Sequence, residues 1–598
     1  MKKGTKDKQL RIKNLEVKKK SIELKIDEET AEKLIRDHGN DVLEVVVDKP
    51  YVLSQYISDF ESVKKIIQMN KGCKGKEDII KDIVAAAIIY VLENVTAIEG
   101  HVFIYTDELG VRAKEIEEIV TEESIDVALK LLEFQKEIIV DRDDEGRQCV
   151  YPAILYRAEV QVANMVRDLV ERNKIGYKEL EKINEFIEAY KPSDISLNLG
   201  QKEAIRTALL NNISIIAGGA GSGKTTVLKA ITDGFRYLRQ SNIKLVSFTG
   251  KAVERLSKAT DREATTMHKF LGLREDGRRK VNRIKADVII VDEVGMLGLE
   301  LFLMLIESVK QNENLKVVLV GDHNQLPSIA PGNVLKDLIN SGVIPVVRLT
   351  EVVRQEKDSL IITNANKVLR GITLDGSKVG LRLKKGEFEF IEADSENIKE
   401  KVIRIIDKLL DKGESIYDIQ VMSLIKGGEN GVEELNREIA DKVNYVQERE
   451  IYKFGVLDPV IVIRNNYKKE VFNGQRAVAV RVERTLNRTE AVTIDFGDRV
   501  VDFNNNEIDD IEIAYATTVH KMQGSESETV IIVVDKEQSR MLTRELLYVA
   551  ITRGVERVIV VGNKEAFNQG IKKAGKERYS LLAERLVKVN EAVNVEPA

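Results

Sequence analysis

The sequence has 598 residues, enough for about four domains of ordinary size, and its composition is that of a globular protein. The formal net charge is −5 and the isoelectric point is about 5.9. The chain as a whole is therefore not basic, and any surface that binds nucleic-acid phosphates must be local. The two cysteines, Cys73 and Cys149, belong to no Cys/His cluster, so neither a zinc site nor a disulfide framework is expected.

Residues 1–24 form a basic N-terminal tail that lacks the apolar core of a signal peptide. The sequence also contains no apolar run of about 18 residues or more, which argues against a membrane span. We therefore expect a cytoplasmic protein with no membrane partner. The tail is either a solvated lead-in or an arm that contacts nucleic acid, and its composition favours the first.

Residues 25–192 are predicted to be mainly helical. Apolar residues recur with helical spacing in three stretches: 28–37, 60–68 and 78–93. The sequence His38-Gly39-Asn40 is typical of a helix C-cap, and Lys191-Pro-Ser-Asp194 indicates a linker. The acidic pair Asp143-Asp144 lies in a charged stretch and is interpreted as solvated surface.

After the linker, short apolar runs alternate with helical stretches, a pattern typical of parallel sheets with helices on both faces. A first α/β domain at 193–345 contains four predicted strands: Ile213–Ala217, Lys244–Phe248, Val288–Val291 and Lys316–Val320. A second α/β domain, divided between 346–450 and 509–598, contains three: Ile419–Ser423, Thr529–Val534 and Arg557–Val561. The intervening residues 451–508 have short strands and turn signals at Asn473-Gly474 and Gly497-Asp498, which predict a small inserted antiparallel β-barrel.

A glycine-rich segment, Gly218-Gly-Ala-Gly-Ser-Gly-Lys224-Thr225, follows the first predicted strand and precedes a helix. Glycines let backbone N–H groups fold around phosphates, and the helix N-terminus favours negative charge. Lys224 would neutralise the β- and γ-phosphates, and the Thr225 hydroxyl would bind Mg²⁺. The predicted phosphate-binding residues are Gly218, Gly219, Ala220, Gly221, Ser222, Gly223, Lys224, Thr225 and Thr226.

A second segment, Val288-Ile-Ile-Val-Asp292-Glu293, ends an apolar strand in two carboxylates. Asp292 would hold Mg²⁺ through water, and Glu293 would act as the general base that polarises the attacking water. Such a pair is often only the acidic end of a strand. Together with the glycine-rich loop, it predicts an enzyme that hydrolyses a nucleoside triphosphate, with ATP and Mg²⁺ as cofactors.

Further segments resemble motifs of superfamily 1 helicases and occur in the same order. They are Thr249-Gly-Lys251-Ala, Thr265-Thr266-Met-His268, Val320-Gly-Asp322-His-Asn-Gln325-Leu-Pro327, Leu349-Thr-Glu-Val-Val-Arg354-Gln355, Tyr515–Glu526 and Leu547–Arg553. Gln201, just before the first strand, stands where these enzymes place an adenine-reading glutamine. With segments such as Ser423–Asn436 and Val471-Phe-Asn473-Gly474, the set is most similar to the RecD-like branch of superfamily 1B, over roughly residues 25–580.

The resemblance implies two RecA-like domains with ATP between them. The first would supply Lys224, Glu293 and Gln325, and the second would supply Arg354 and Arg553 to the γ-phosphate. Arginine suits this role because its planar fork stays charged and binds phosphate in a bidentate manner. Either arginine could instead form an ordinary surface salt bridge.

The same resemblance implies a partner, single-stranded DNA, and translocation from 5′ to 3′ in DNA repair or recombination. The residues predicted to contact DNA are Thr249, Lys251, Thr266, His268, Thr518 and His520. Hydroxyl and amide groups that contact phosphates carry no sequence code, so the expected binding is independent of base sequence.

Strand separation at a single-strand/duplex junction requires a wedge. Within 272–285, the residues Asp276, Gly277, Arg278 and Arg279 form a basic segment with a strong hairpin signal. In RecD-like helicases a short hairpin in this interval acts as the pin, and we expect the same here. The alternative is a solvated connecting loop.

The N-terminal region, particularly residues 30–53, resembles the helix-hairpin-helix region of longer RecD-like proteins. The stretch Ile57-Ser-Asp-Phe60 lacks the glycines that let such a backbone approach DNA, so duplex binding is not expected there. Two alternatives to an autonomous DNA helicase remain. The chain could be the motor subunit of a nuclease–helicase complex that docks a protein partner through this region, or an RNA translocase of the same superfamily.

Overall fold

The computed structural model describes residues 23, 25–39, 42–70, 75–172, 177–191, 196–273, 284–312, 314–351, 359–374, 387–447, 449, 453–464, 466, 469, 471–485, 488–497 and 499–588. The predicted pin residues Asp276, Gly277, Arg278 and Arg279, and the predicted Arg354, lie outside the described residues. Among the helices of the described ranges, none combines the length and the apolar character needed to cross a membrane.

The N-terminal region is mainly helical, as predicted. Its helices are α1 Glu28–His38, α2 Val42–Asp48, α3 Phe60–Met69, α4 Lys76–Asn94, α5 Thr106–Ile116 and α6 Glu122–Phe134. The predicted C-cap is confirmed, because Gly39 ends α1 with a φ of +52°. Asp59 accepts the Ser62 N–H and thereby caps α3, so the stretch that lacks glycines serves as a helix start.

The N-terminal region also contains a small antiparallel sheet, which the sequence did not predict. Its strands are β1 Ile104–Tyr105, β2 Ile138–Arg142 and β3 Gln148–Pro152, in the order β1-β3-β2. The interpretation of Asp143 as solvated surface was wrong. Asp143 is buried in the β2–β3 hairpin, where its carboxylate accepts bonds from Arg147 and Tyr105.

The first α/β domain has a six-stranded parallel sheet in the order β6-β5-β7-β8-β4-β9. Its strands are β4 Ile213–Gly218, β5 Ile243–Ser247, β6 Ala264–Thr266, β7 Val288–Asp292, β8 Lys316–Gly321 and β9 Val346–Leu349. The helices before and around it are α7 Ala153–Glu171, α8 Tyr177–Ala189, α9 Leu199–Leu210, α10 Lys224–Tyr237, α11 Gly250–Thr260, α12 Met267–Leu271, α13 Leu299–Val309 and α14 Val334–Asn340. Because β9 pairs with β4, this sheet extends past the domain boundary predicted at residue 345.

The continuous apolar runs of this sheet are explained by burial on both faces. In β8, Val317 and Leu319 pack into the core beneath α7 and α13, whereas Val318 and Val320 pack into the core beneath α9 and α10. A strand covered on both faces needs no polar side chain, so the sequence pattern is continuous rather than alternating.

The second α/β domain has a five-stranded parallel sheet in the order β10-β19-β18-β11-β17. Its strands are β10 Glu387–Glu392, β11 Ile419–Ser423, β17 Ala516–Thr518, β18 Ser527–Val534 and β19 Gly554–Gly562. Its helices are α15 Leu360–Leu369, α16 Ile398–Leu410, α17 Val432–Val443, α18 Arg544–Ile551 and α19 Lys564–Lys572, and α20 Leu582–Val587 follows. The predicted α/β architecture is confirmed for both domains.

The insertion between β11 and β17 is a five-stranded antiparallel sheet in the order β15-β14-β13-β12-β16. Its strands are β12 Pro459–Val462, β13 Arg476–Thr485, β14 Arg488–Asp495, β15 Val500–Asn504 and β16 Ile511–Ile513. Among the described residues no ladder joins the outer strands β15 and β16, so closure into a barrel stays a prediction. We call this element the inserted sheet.

The C-terminal strap, residues 574–588, leaves the second domain and lies against the first domain and the N-terminal region. Its backbone N–H at Leu581 and its Arg585 guanidinium both donate to the fully buried carboxylate of Glu159, at 2.9 and 2.8 Å. Leu582 and Leu586 are buried in the core of the first domain. The strap is therefore tied to α7 through a buried ion pair and apolar packing.

Candidate nucleotide and nucleic-acid site

The carboxyl ends of the parallel strands in the first domain form one edge, and the predicted site residues lie along it. Thr266 ends β6, Thr249 follows β5, Asp292 ends β7, Asp322 follows β8, and the glycine-rich loop follows β4. The sheet order therefore places the predicted DNA-binding threonines at one side and the phosphate loop at the other. The two carboxylates at the end of β7, Asp292 and Glu293, lie between them.

The glycine-rich loop has the backbone conformation that its glycines permit. Gly221 and Gly223 have φ values of +70° and +79°, in the left-handed region that favours glycine. A Cβ on Gly218 would lie 2.5 Å from the Ser222 hydroxyl, which itself donates to the Gly219 carbonyl at 2.9 Å. The loop is compact, and side chains at these positions would disrupt it.

Lys224 begins α10, and its ammonium donates to the carbonyls of Gly218 and Gly219 at 2.7 and 2.9 Å. Thr225 and Thr226 follow in the first turn, with the Thr225 side chain exposed. A cation and a hydroxyl at a helix N-terminus form an environment suited to a phosphate and its metal ion.

Asp292 and Glu293 are adjacent and buried. Burial, followed by the charge of Glu293, raises the pKa of Asp292 to about 6. The Glu293 N–H donates to the Asp292 carboxylate at 2.9 Å. Glu293 has a φ of +56°, a value that residues other than glycine rarely adopt. Two buried carboxylates and the Thr225 hydroxyl are oxygen ligands, so these residues fit a Mg²⁺ ion that keeps several waters.

One predicted glutamine precedes the glycine-rich loop in the chain and the other follows it. Gln325 is half-buried in the turn after β8, where its N–H donates to the Asp322 carbonyl at 3.2 Å. Gln201 is buried in the first turn of α9, and its side-chain oxygen accepts the Asn198 N–H at 3.1 Å in a capping box. An adenine-reading role for Gln201 stays a prediction.

A tyrosine from the second domain contacts the glycine-rich loop directly. The Tyr548 hydroxyl donates to the Asp322 carboxylate at 2.6 Å and accepts the Ala220 N–H at 3.3 Å. Burial, then the charge of Asp322, raises the pKa of Tyr548. This buried pair of bonds joins the two domains at the phosphate loop.

The predicted Arg553 lies in the second domain but donates within it. Its guanidinium is buried and bonds to the carbonyls of Val549 and Ser525 and to the Thr552 hydroxyl, at 3.2, 3.0 and 3.2 Å. These bonds hold the guanidinium within the second domain. Its role at the phosphate therefore stays a prediction.

The predicted DNA-contacting residues of the first domain lie at adjacent strand ends. Thr249 caps α11 by accepting the Ala252 N–H, and Thr266 caps α12 by accepting the Lys269 N–H, both at 3.3 Å. His268 packs edge-on against Phe248, and burial lowers its pKa. These residues are neighbours because β5 pairs with β6.

The predicted residues of the second domain lie across the cleft from this group. Thr518 ends β17, and His520 is exposed in the turn that follows. In that turn, a Cβ on Gly524 would lie 2.8 Å from the Thr249 hydroxyl. The turn after β17 therefore lies against the predicted residues of the first domain, and we call the surface where they meet the groove.

Lys251 connects this groove to the inserted sheet as well as to the second domain. Its ammonium donates to the Glu526 carbonyl at 2.8 Å. Burial, followed by the positive charge of Arg476, lowers the pKa of Lys251. Arg476 begins β13, and burial lowers its own pKa to about 10. Two cations therefore lie close together at the groove, and an anionic backbone bound there would offset the repulsion between them.

Two family models match the chain: an AAA domain over residues 196–388 and a UvrD-like helicase C-terminal domain over residues 513–561. The chain is 30% identical over 407 residues to the RecBCD enzyme subunit RecD of Mycolicibacterium smegmatis, covering 60% of this chain and 70% of that one. The chain belongs to the RecD-like helicase family. It is also 29% identical over 450 residues to the ATP-dependent RecD2 DNA helicase of Deinococcus radiodurans.

This RecD-like chain aligns over 74% of its own length with the Deinococcus helicase but spans only 59% of that relative. A Pif1 helicase structure from Bacteroides, in complex with ADP-AlF3 and single-stranded DNA, is similar at 19% identity. The TM-score between the two structures is 0.39, and the similarity covers 64% of this chain and 95% of the Pif1 chain. Family membership and the glycine-rich loop make the first domain a nucleotide-binding domain.

Sequence reasoning assigned no role to several residues that the RecD-like fold brings to the cleft. They are Arg255, Asp322, Arg476, Glu526 and Tyr548. Asp322, Glu526 and Tyr548 lie inside the helicase-like motifs of the sequence, so their position there could have marked them as residues of the cleft. Arg476 lies in the inserted sheet, where no motif marked it.

Proposed function

We propose that this chain is an ATP-dependent DNA helicase that translocates 5′ to 3′ on single-stranded DNA and unwinds duplex DNA. The observation that carries the proposal is the carboxyl edge of the first sheet. A phosphate loop, a buried carboxylate pair and the predicted DNA-contacting residues of the first domain share it, and the second domain contacts this edge through Tyr548 and Glu526. The RecD2 relative is named as an ATP-dependent DNA helicase, and the proposed polarity rests on the family alone.

In the proposed reaction, Lys224 and the loop N–H groups bind the phosphates, while Thr225 and Asp292 would hold Mg²⁺. When bound there, the ion would supply positive charge that stabilises the phosphate oxygens. Glu293 takes a proton from the attacking water as the new P–O bond forms and the bond to ADP breaks. Gln325, Arg354 and Arg553 would stabilise the charge on the transferred group.

The proposed DNA path lies along Thr249, Lys251 and Thr266 of the first domain and Thr518 and His520 of the second. Hydroxyl and ammonium groups at helix starts suit phosphate oxygens, so this path would grip the backbone rather than the bases. Opening and closing of the cleft during ATP turnover would move the two halves of the path relative to each other. The segment 272–285 is proposed as the pin at the single-strand/duplex junction.

The test is strand displacement on duplexes that carry either a 5′ or a 3′ single-stranded tail, with ATP and Mg²⁺. Unwinding from 5′ tails only is expected. Unwinding from 3′ tails only would contradict the polarity, and unwinding of RNA but not DNA would favour the RNA translocase. Shortening 272–285 should abolish unwinding and spare DNA-stimulated ATPase, whereas loss of both activities would reject the pin.

A second candidate is a motor subunit of a larger nuclease–helicase complex, active in DNA repair or recombination. It is favoured by the Mycolicibacterium relative, which is named as a subunit of the RecBCD enzyme. The proposed docking surface for a protein partner is the N-terminal region, whose helices carry exposed Val111 and Phe134. Strong unwinding by the purified monomer would favour the autonomous enzyme over the subunit.

A further inference from the structure

Arg255, in the middle of α11, lies between the hydrolytic carboxylate and the second domain. One guanidinium nitrogen donates to Glu293 at 3.3 Å, and another donates to Glu526 at 3.0 Å. Glu293 is buried on the first domain, and Glu526 is partly exposed on the second. A single planar cation therefore bridges two carboxylates that belong to different domains.

The same helix carries Lys251, one turn before Arg255. Residues four apart lie on one face of a helix, so both cations face the second domain. The Lys251 ammonium donates to the Glu526 carbonyl at 2.8 Å, while Arg255 binds the Glu526 side chain. Glu526 is thus held twice, once by a predicted DNA contact and once by the residue that touches Glu293.

The contact restrains Glu293 in a way that matters for its proposed role. A general base must direct an oxygen at the attacking water, and Arg255 restrains the orientation of the Glu293 carboxylate by binding its Oε1 atom. The Arg255–Glu293 contact is the longer of the two, so the Glu526 carboxylate is the anchor that keeps the guanidinium in place. A single long contact at a partly exposed cation would contribute little without that anchor.

We propose that Arg255 is a positioning residue through which DNA controls ATP hydrolysis: it restrains Glu293 for as long as Lys251 and Arg255 together hold Glu526. This inference rests on the proposed function. A DNA phosphate that binds Lys251 draws the ammonium away from the Glu526 carbonyl. Loss of that bond loosens Glu526, and Arg255 then releases Glu293 to activate water.

The test uses the full chain with the variants Arg255→Gln and Glu526→Gln, each of which breaks the bridge from a different domain. The second keeps the backbone carbonyl that Lys251 binds. Both should raise the kcat for ATP without DNA about fivefold, which corresponds to loss of one partly exposed ion pair. The rate with saturating single-stranded DNA should change less, so the stimulation ratio falls while the KM for ATP stays the same.

Lys258→Gln is the matched control, because Lys258 lies on the same helix and pairs with Glu254 at 2.6 Å on the exposed surface. It removes the same charge and should leave the stimulation ratio unchanged. Arg255→Lys retains a cation without the planar fork and should restore part of the restraint. Adding Glu293→Gln to Arg255→Gln should remove the gain in DNA-free turnover.

The inference is overturned if both bridge variants keep the wild-type stimulation ratio. It is also overturned if both lose DNA-free and DNA-stimulated rates equally, or if the gain persists with Glu293→Gln. Wild-type protein that hydrolyses ATP with no response to DNA would instead contradict the proposed function. Melting temperatures identify a variant that fails to fold, and because the two substitutions lie in different domains, the other variant still decides.

Discussion

Replacing Tyr548 with phenylalanine would remove one hydroxyl from the interface between the two domains and leave the ring in place. The hydroxyl is buried and bonds to both the Asp322 carboxylate and the Ala220 N–H. A hydrogen bond to a charged group contributes about 1.5–3 kcal/mol. The closed arrangement should therefore lose roughly tenfold to 150-fold in its equilibrium against an open one.

Energy transfer between two dyes measures that equilibrium. Cysteines introduced at the exposed Lys229 on α10 and Lys408 on α16 would carry the dyes, one in each domain, in a Cys73→Ser background. The native Cys149 should not react, because burial raises the pKa of its thiol to about 12. Tyr548→Phe should shift the distribution toward low transfer efficiency.

Tyr515→Phe provides the matched control. Tyr515 is also buried and donates to a buried carboxylate, Asp458, at 2.9 Å, but this bond joins the second domain to the inserted sheet. The substitution removes the same chemical group without touching the cleft. An unchanged distribution for Tyr548→Phe, or an equal shift for both variants, would refute the role of Tyr548 in closure.

Three further predictions concern other parts of the chain. Lys224→Ala should abolish ATP turnover and unwinding while single-stranded DNA still binds, and wild-type ATPase in this variant would contradict the phosphate role. Arg585→Ala should lower the free energy of unfolding by about 3–5 kcal/mol in urea titrations, because the Glu159 carboxylate would stay buried without its partner. Lys588→Ala should have little effect, because Lys588 forms its ion pair at the exposed surface. Burial raises the pKa of Asp337 to about 7, so the folded state keeps a proton on this carboxyl group that the unfolded state releases at about pH 4. The free energy of unfolding should therefore fall as pH rises from about 4 to 7, and Asp337→Asn should flatten this fall.

The sequence was sufficient for the features that depend on local order. The strand, glycine-rich loop and helix around Lys224 are contiguous, so their chemistry is visible in the order of residues. The long buried strands were found within a few residues for the same reason. Short strands at sheet edges were missed, as in β6 and β17, because three residues carry no measurable period.

Contacts between domains could not be predicted from the sequence. Ala220 and Tyr548 are 328 positions apart, and Arg255 and Glu526 are 271 apart, and no periodicity links positions so distant. The motif containing Arg553 was recognised, yet its partners within the second domain depend on how α18 packs against the start of β18. The packing of helices and strands therefore determines which side chain of a motif reaches the cleft, and the sequence of the motif alone does not show it.

The order of strands in the first sheet places one helix beside both the predicted DNA contacts and the carboxylate pair. β5 lies between β6, which ends at a predicted DNA contact, and β7, which ends at the carboxylate pair. The helix that follows β5 therefore begins at the DNA side and runs past Glu293 within two turns. Lys251 and Arg255 therefore reach the same residue of the second domain, Glu526, and the proposed coupling passes through that residue without any movement of the sheet. The proposed coupling between the DNA-contacting residues and the hydrolytic site thus depends on which strand lies in the middle of the sheet.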